Sequence, residues 1–234
     1  MKKSNQEGTE DSERTEELEK QKVSGLATQI CMWKDEEGCD DCELDTRIFC
    51  KPKPKYSIMF AIPSFFTIIV AFYGILTSEI PITAKILGVG GYVVFLFLFL
   101  NVWESHMLCN HCPYYANDEQ RTLHCAIDRG KLKTGSYDPG PLSKSERYQF
   151  LLGVFLFLTI PIPFLIWGAA LIPLVLTIFG SAIWVIVLQT KVCTDCVNFS
   201  CPLNKVPKKT RDAFIKKNPI IREAWEKAGY DFDE

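Results

Sequence analysis

An all-α integral membrane fold, with four transmembrane helices in two hairpins, is what this sequence predicts, and three observations carry the prediction. Four apolar windows of about 20 residues each can span a hydrocarbon core of about 30 Å at 1.5 Å rise per residue: Ser57 to Thr77, Ile82 to Trp103, Tyr148 to Trp167 and Ala169 to Gln189. None carries the polar stripe that a soluble helix would turn to water, as the run GGYVVFLFLFLNVW makes plain. The short connections SEIPIT and the turn around Trp167, Gly168 and Pro173 join the windows in pairs, so all other segments fall on one side.

Taken in order, residues 1–25 are rich in Glu, Lys, Ser and Thr and nearly free of large apolar side chains, which predicts a disordered acidic tail. Residues 26–55 form a cysteine-rich segment whose few core-forming side chains, Trp33, Leu44, Ile48 and Phe49, call for a metal staple. The first hairpin occupies 56–103. A Cys- and His-bearing loop covers 104–147, turn-rich from Ala126 to Leu142, with Ser143 and Glu146 spaced as a capping box for the next helix. The second hairpin occupies 148–190. In 191–234, a cysteine knuckle precedes two short helices, with Asn218 and Pro219 as a helix start and Gly229 as a stop. The apolar side chains Phe214, Ile220, Ile221 and Trp225 of this tail are expected to dock on the cysteine-bearing loops or on the lipid surface.

Pro63, Pro161 and Pro163 read as tolerated kinks or helix ends, and Lys85 as a lysine that reaches back to the interface. Small residues such as Ala84, Gly88, Gly91, Gly180, Ser181 and Ala182 suit close helix packing.

Charge gives the orientation. Of the 26 Lys and Arg, all but Lys85 lie on the side shared by the two termini and the 104–147 loop, and the positive-inside bias makes that side cytoplasmic. The 26 basic and 28 acidic residues nearly cancel, so nothing global points to nucleic acid. The partners expected are the lipid bilayer and a protein in the membrane or cytoplasm. No window holds a mid-depth Asp, Glu, Lys, Arg or His, which removes the usual marks of ion pathways and of haem ligation within the bilayer.

All ten cysteines share the cytoplasmic side: Cys31, Cys39, Cys42 and Cys50 before the first span, Cys109, Cys112 and Cys125 between the hairpins, and Cys193, Cys196 and Cys201 after the fourth span. In a reducing compartment such density reads as metal binding or catalysis rather than structural disulfides. A Cys-x-x-Cys pair lets one turn present two sulfurs to one centre, and the pair occurs at Cys39, Cys109 and Cys193. The first four cysteines form a self-sufficient quartet. The other six divide either into two three-cysteine sites or into one site shared across the hairpins. His106, His111 and His124 lie near Cys109, Cys112 and Cys125, and His111 and His124 are carried as candidate ligands. A weak internal repeat, a hairpin followed by Cys-x-x-Cys and a third cysteine, places two similar knuckles under the bundle.

The candidate cofactors are an iron–sulfur cluster and zinc. Cys201 followed by Pro202 resembles the end of a ferredoxin run and tilts the balance to iron–sulfur, although four residues separate Cys196 from Cys201 and no fourth cysteine follows. The function expected is a membrane-anchored metal–thiolate protein carrying electrons between a cytoplasmic donor and a membrane partner or quinone. Two alternatives stand beside it, a zinc-stabilised scaffold for a partner protein and a thiol–disulfide oxidoreductase; no catalytic side chain is assigned.

Overall fold

The four apolar windows fold as four helices long and apolar enough to cross a membrane, at Pro54–Thr77, Ile82–His111, Lys144–Trp167 and Leu171–Val192. The computed structural model describes residues 30–33, 42–117, 121–125, 127 and 129–232. The expected tail at 1–25 and Cys39 lie outside the described residues.

Helix α1 is Pro54–Thr77, with its proline start at the first turn and Pro63 tolerated inside. The second span comprises α2 (Ile82–Leu98), a five-residue π turn (Phe99–Trp103) and α3 (Glu104–Met107). Ser143 caps α4 (Lys144–Thr159) by the predicted box: Glu146 N–H donates to Ser143 Oγ at 3.3 Å, and Ser143 N–H to Glu146 Oε2 at 2.7 Å. A break before Pro161 separates α4 from α5 (Pro161–Trp167), and α6 (Leu171–Val187) ends in a second π turn, Leu188–Val192. At the far end Lys85 Nζ donates to Leu76 O at 2.7 Å and so caps the neighbouring helix.

At most 28% of any span's window is buried, and large apolar side chains such as Ile62, Phe65, Ile86 and Phe179 face outward. So large an outward apolar surface suits contact with lipid hydrocarbon. The most extensive helix contact joins α1 to α6. Gly180 permits it, because a Cβ there would stand 2.6 Å from Thr67 Oγ1. Of the small residues picked from the sequence, Gly88 and Gly180 serve close packing, whereas Gly91 and Ala182 face outward.

Burial falls into three layers. Ile75, Ile80, Ala84 and Leu165 fill the hairpin-loop end. Phe49, Tyr56, Phe99, Phe157, Trp184, Leu188 and Val192 fill the junction at the opposite end. Beyond the junction a cap has its own core, built from the amino-terminal segment, the 104–147 loop and the carboxy-terminal helices α7 (Lys208–Lys217) and α8 (Pro219–Lys227).

The tail therefore docks on the cysteine-bearing loops, with Phe214, Ile221 and Trp225 buried. Leu44 and Ile48 enter the same core, so the amino-terminal segment draws burial from the whole cap as well as from any metal. Two short antiparallel strands in the turn-rich loop, β1 (Thr122–His124) and β2 (Arg129–Leu132), were not legible in the sequence.

Candidate metal centre

Each hairpin delivers its knuckle by the same device. Phe99–Trp103 and Leu188–Val192 are both π turns, and each leads within a few residues into Cys-x-x-Cys; Cys193 N–H donates to Leu188 O at 2.7 Å across the second turn. A π turn inserts one residue and rotates the chain beyond it, a means of aiming side chains that recurs at functional sites. Shared turns at matching places give the weak sequence repeat a structural counterpart.

The two knuckles meet. Asn198 Nδ2 donates to Leu108 O at 3.0 Å, tying the second knuckle to the residue before Cys109. Asn204 Nδ2 closes the second knuckle through Cys196 O at 2.7 Å and Asn198 O at 3.0 Å. Tyr114 joins the first knuckle to the amino-terminal segment by donating to Phe49 O at 2.7 Å, and Phe49 N–H donates to Asp195 O at 2.8 Å. Three distant stretches of chain are thereby fixed around one point.

At that point lies a cavity of about 130 Å³. Six cysteines line it, Cys109, Cys112, Cys125, Cys193, Cys196 and Cys201, with the rest of its wall almost wholly apolar. Burial pushes the Cys112 and Cys196 thiols well above the ordinary range, and neighbouring sulfurs add to the rise, Cys125 at both. Burial likewise lifts Cys193 to about 11 and Cys201 to about 12. Left alone, such sulfurs keep their protons. A soft cation reverses the preference, since it replaces the proton on each sulfur and compensates the buried charge.

The backbone is already arranged for that outcome. The amide two residues beyond the cysteine donates to its sulfur at Cys42 (Leu44), Cys112 (Tyr114), Cys125 (Ile127, 3.5 Å), Cys196 (Asn198) and Cys201 (Leu203). An amide aimed at sulfur favours the thiolate and fixes its direction, the usual outer-shell support of a sulfur ligand. Tyr114 and Asn198 occupy the same place in the two knuckles, two residues after the second cysteine. That shared offset is the signal by which sequence reading could have found them.

Of the amino-terminal cysteines, Cys50 is buried near Tyr114, whose hydroxyl also senses Cys112, Cys125 and Cys196. Cys31 and Cys42 instead meet the junction of α7 and α8. Cys31 N–H donates to Asn218 Oδ1 at 2.6 Å, and Asn218 Nδ2 donates to Cys31 Sγ at 3.5 Å and to Phe214 O at 2.7 Å. Asn218 heads α8 but makes no side-chain cap; its amide is spent on Cys31. Lys217 Nζ donates to Cys42 Sγ at 3.3 Å.

Burial raises the Cys42 thiol, but the Leu44 amide and the Lys217 ammonium outweigh it and hold the group below its ordinary value. A lowered thiol ionises at lower pH and extends its nucleophilic range downward. In metal-free protein the pH–rate profile for alkylation of Cys42 is expected to move to higher pH in Lys217→Met, read by mass spectrometry of the labelled peptide; an unchanged profile would show that Lys217 does not act on this sulfur.

His111 is held by groups other than the cavity cysteines. His111 Nδ1 lies 2.9 Å from Gly140 O, with Asp138 at 3.8 Å and Glu146 at 3.6 Å, so its ring is engaged with the loop and the start of α4. His124 pairs through its backbone with Arg129 in the β hairpin. Glu104, also on the cavity wall, meets Lys131 Nζ at 3.1 Å. Among the described residues, no three of His, Cys, Asp and Glu stand close enough to share a single metal ion.

The chain matches no protein-family model, no curated protein and no solved structure, and the reading of this centre therefore rests on its own residues.

Proposed function

We propose that this is a multi-pass membrane protein whose cap carries a metal–thiolate centre on the cytoplasmic side, passing electrons between a cytoplasmic donor and a partner in the bilayer. The observation that carries the reading is the convergence of six cysteines from two chain segments on one apolar cavity at the end of the bundle. The outward apolar faces of the helices support residence in lipid, and the basic residues gathered at the cysteine end support its cytoplasmic placement.

Between iron–sulfur and zinc, the run ending in Cys201 and Pro202 is what tilts the reading to an iron–sulfur cluster, since such clusters take four thiolates commonly from a run that ends in Cys-Pro. Cys112, Cys125 and Cys196, central to the group, are its first ligands, with Cys109, Cys193, Cys201 and Cys50 around them. When bound, the cluster would supply one-electron transfer. The chain's own part is to fix the sulfurs through the Tyr114, Ile127, Asn198 and Leu203 amides and to exclude water with Phe49, Phe99 and Leu188.

Elemental analysis of anaerobically purified full-length protein tests this. Iron and acid-labile sulfide in equal amounts, with visible absorbance that bleaches under dithionite, is the expected result. Colourless protein holding only zinc would overturn the electron-transfer reading and favour the scaffold.

A further inference from the structure

The foot of the cap carries charge that its own carboxylates do not neutralise. Helix α1 packs on α6 and on the second π turn, so the polar ends of these two spans lie together. Lys51, Lys53 and Lys55 lead into α1, Lys191 leaves α6, and Lys205 lies in the segment returning beside the second knuckle, its N–H donating to Cys193 O at 2.9 Å. All five residues are exposed. Residues 51–78 and 186–207, which supply this collar, hold those five lysines against one acid, Asp195. That acid is already engaged, since the Tyr56 hydroxyl donates to its Oδ2 at 3.2 Å. Among the described residues no carboxylate comes within ion-pair distance of Lys53, Lys55, Lys191 or Lys205. Farther out, α7 and α8 pair cations with carboxylates, Lys208 with Asp212 at 2.8 Å and Lys227 with Glu223 at 2.8 Å.

The collar stands directly on apolar surface. Within one turn of Lys55 the outward residues of α1 are Ile58 and Met59, followed by Ile62, and Ile186 of α6 faces outward one turn before Lys191. A lysine stem lies along such a surface while its ammonium stays at the polar boundary. The ligand that fits is anionic at one end and apolar below it. A free phosphate or an acidic peptide answers the charges but leaves Ile58, Ile62 and Ile186 uncovered.

We propose that this collar binds a phospholipid whose head group carries net negative charge, the phosphate lying among Lys53, Lys55 and Lys191 and the acyl chains along the outward faces of α1 and α6. Basic residues next to a span attract anionic lipid, and here they gather where two spans emerge side by side. A zwitterionic head group brings its own cation into the collar and gains less. The site is separate from the thiol cavity and adjoins the outside of the second knuckle through Asp195 and Lys205. It rests on the membrane part of the reading above and not on the metal.

The test is native mass spectrometry of the full chain released from phosphatidylcholine nanodiscs with increasing phosphatidylglycerol, counting the lipids retained. Saturable retention of about one phosphatidylglycerol per chain is expected, with phosphatidylcholine lost. Lys53→Gln/Lys55→Gln/Lys191→Gln should weaken binding by about fivefold for each lysine, roughly 100-fold in all. Lys144→Gln/Arg147→Gln removes two exposed cations at the start of α4 and should leave binding unchanged. An equal loss in that variant would mean attraction to the whole basic face and would overturn the site. So would three results in the unaltered protein: equal retention of phosphatidylcholine, displacement by millimolar inorganic phosphate, or displacement by a hexaglutamate peptide. Iron and sulfide are measured on the same samples. Selective retention in metal-free protein would sustain the lipid site while the metal reading fails, and metal-loaded protein that retains both lipids alike would reject the lipid site alone.

Discussion

Serine at both Cys112 and Cys196 is expected to lower the iron content of the purified protein by at least about 100-fold, with the four spans still inserted. Loss of an outer-shell partner alone costs roughly 10- to 100-fold in metal affinity, and here two ligands go at once. These two sulfurs stand at the middle of the group: Cys112 senses Cys196, and both sense Cys125. A serine hydroxyl is a poor ligand for a soft metal and keeps its proton in an apolar wall. The effect should also cross the hairpins. Cys193→Ser with Cys196→Ser is expected to change the alkylation rate of Cys109, because Asn198 ties the second knuckle to Leu108. Cys31→Ser should leave the cavity metal in place, since Cys31 faces Asn218. Full metal retention in Cys112→Ser/Cys196→Ser, or knuckles that respond independently, would show that the six cysteines do not form one centre.

Phe214→Ala should open the cap. The side chain is fully buried, packs on Phe199 at 5.2 Å, and belongs to the one core that unites the amino-terminal segment, the loop strand β1 and the tail. Truncating such a phenylalanine costs about 3 to 5 kcal/mol, a large share of the stability of a cap this small. Its backbone carbonyl also receives Asn218 Nδ2, so loosening α7 releases the clamp on Cys31 and Cys42. Limited proteolysis should then cut the chain after Val206 at low protease, and Cys31 and Cys42 should alkylate faster, while fragments containing the spans stay membrane-bound. A protease pattern identical to that of the unaltered protein would mean that the tail does not depend on this core.

Much of the architecture was readable from local pattern, because it depends on neighbours along one element. The four apolar runs, the placement of every described cysteine at the end opposite the hairpin loops, the Ser143–Glu146 box and the Gly229 stop are of this kind; Gly229 adopts φ +79°, a conformation that glycine accepts readily. The spans run a few residues beyond the windows read from composition, since Pro54 and Lys144 start helices in polar sequence and π turns carry two of them onward to the cysteines.

The grouping of the cysteines was decided by tertiary structure alone. Spacing joined Cys31, Cys39, Cys42 and Cys50 as a quartet; Cys39 lies outside the described residues, and what packing adds is that Cys50 stands near Tyr114 and that Cys31 meets Asn218, 187 positions away in the chain. The β hairpin and the Lys217 contact with Cys42 are equally invisible to periodicity. They arise where separate elements pack, and how those elements pack is set by contacts such as Gly180 on Thr67 and Gly153 on Phe99. Periodicity along one helix fixes which face is apolar; it carries no information about which distant sulfur that face brings near.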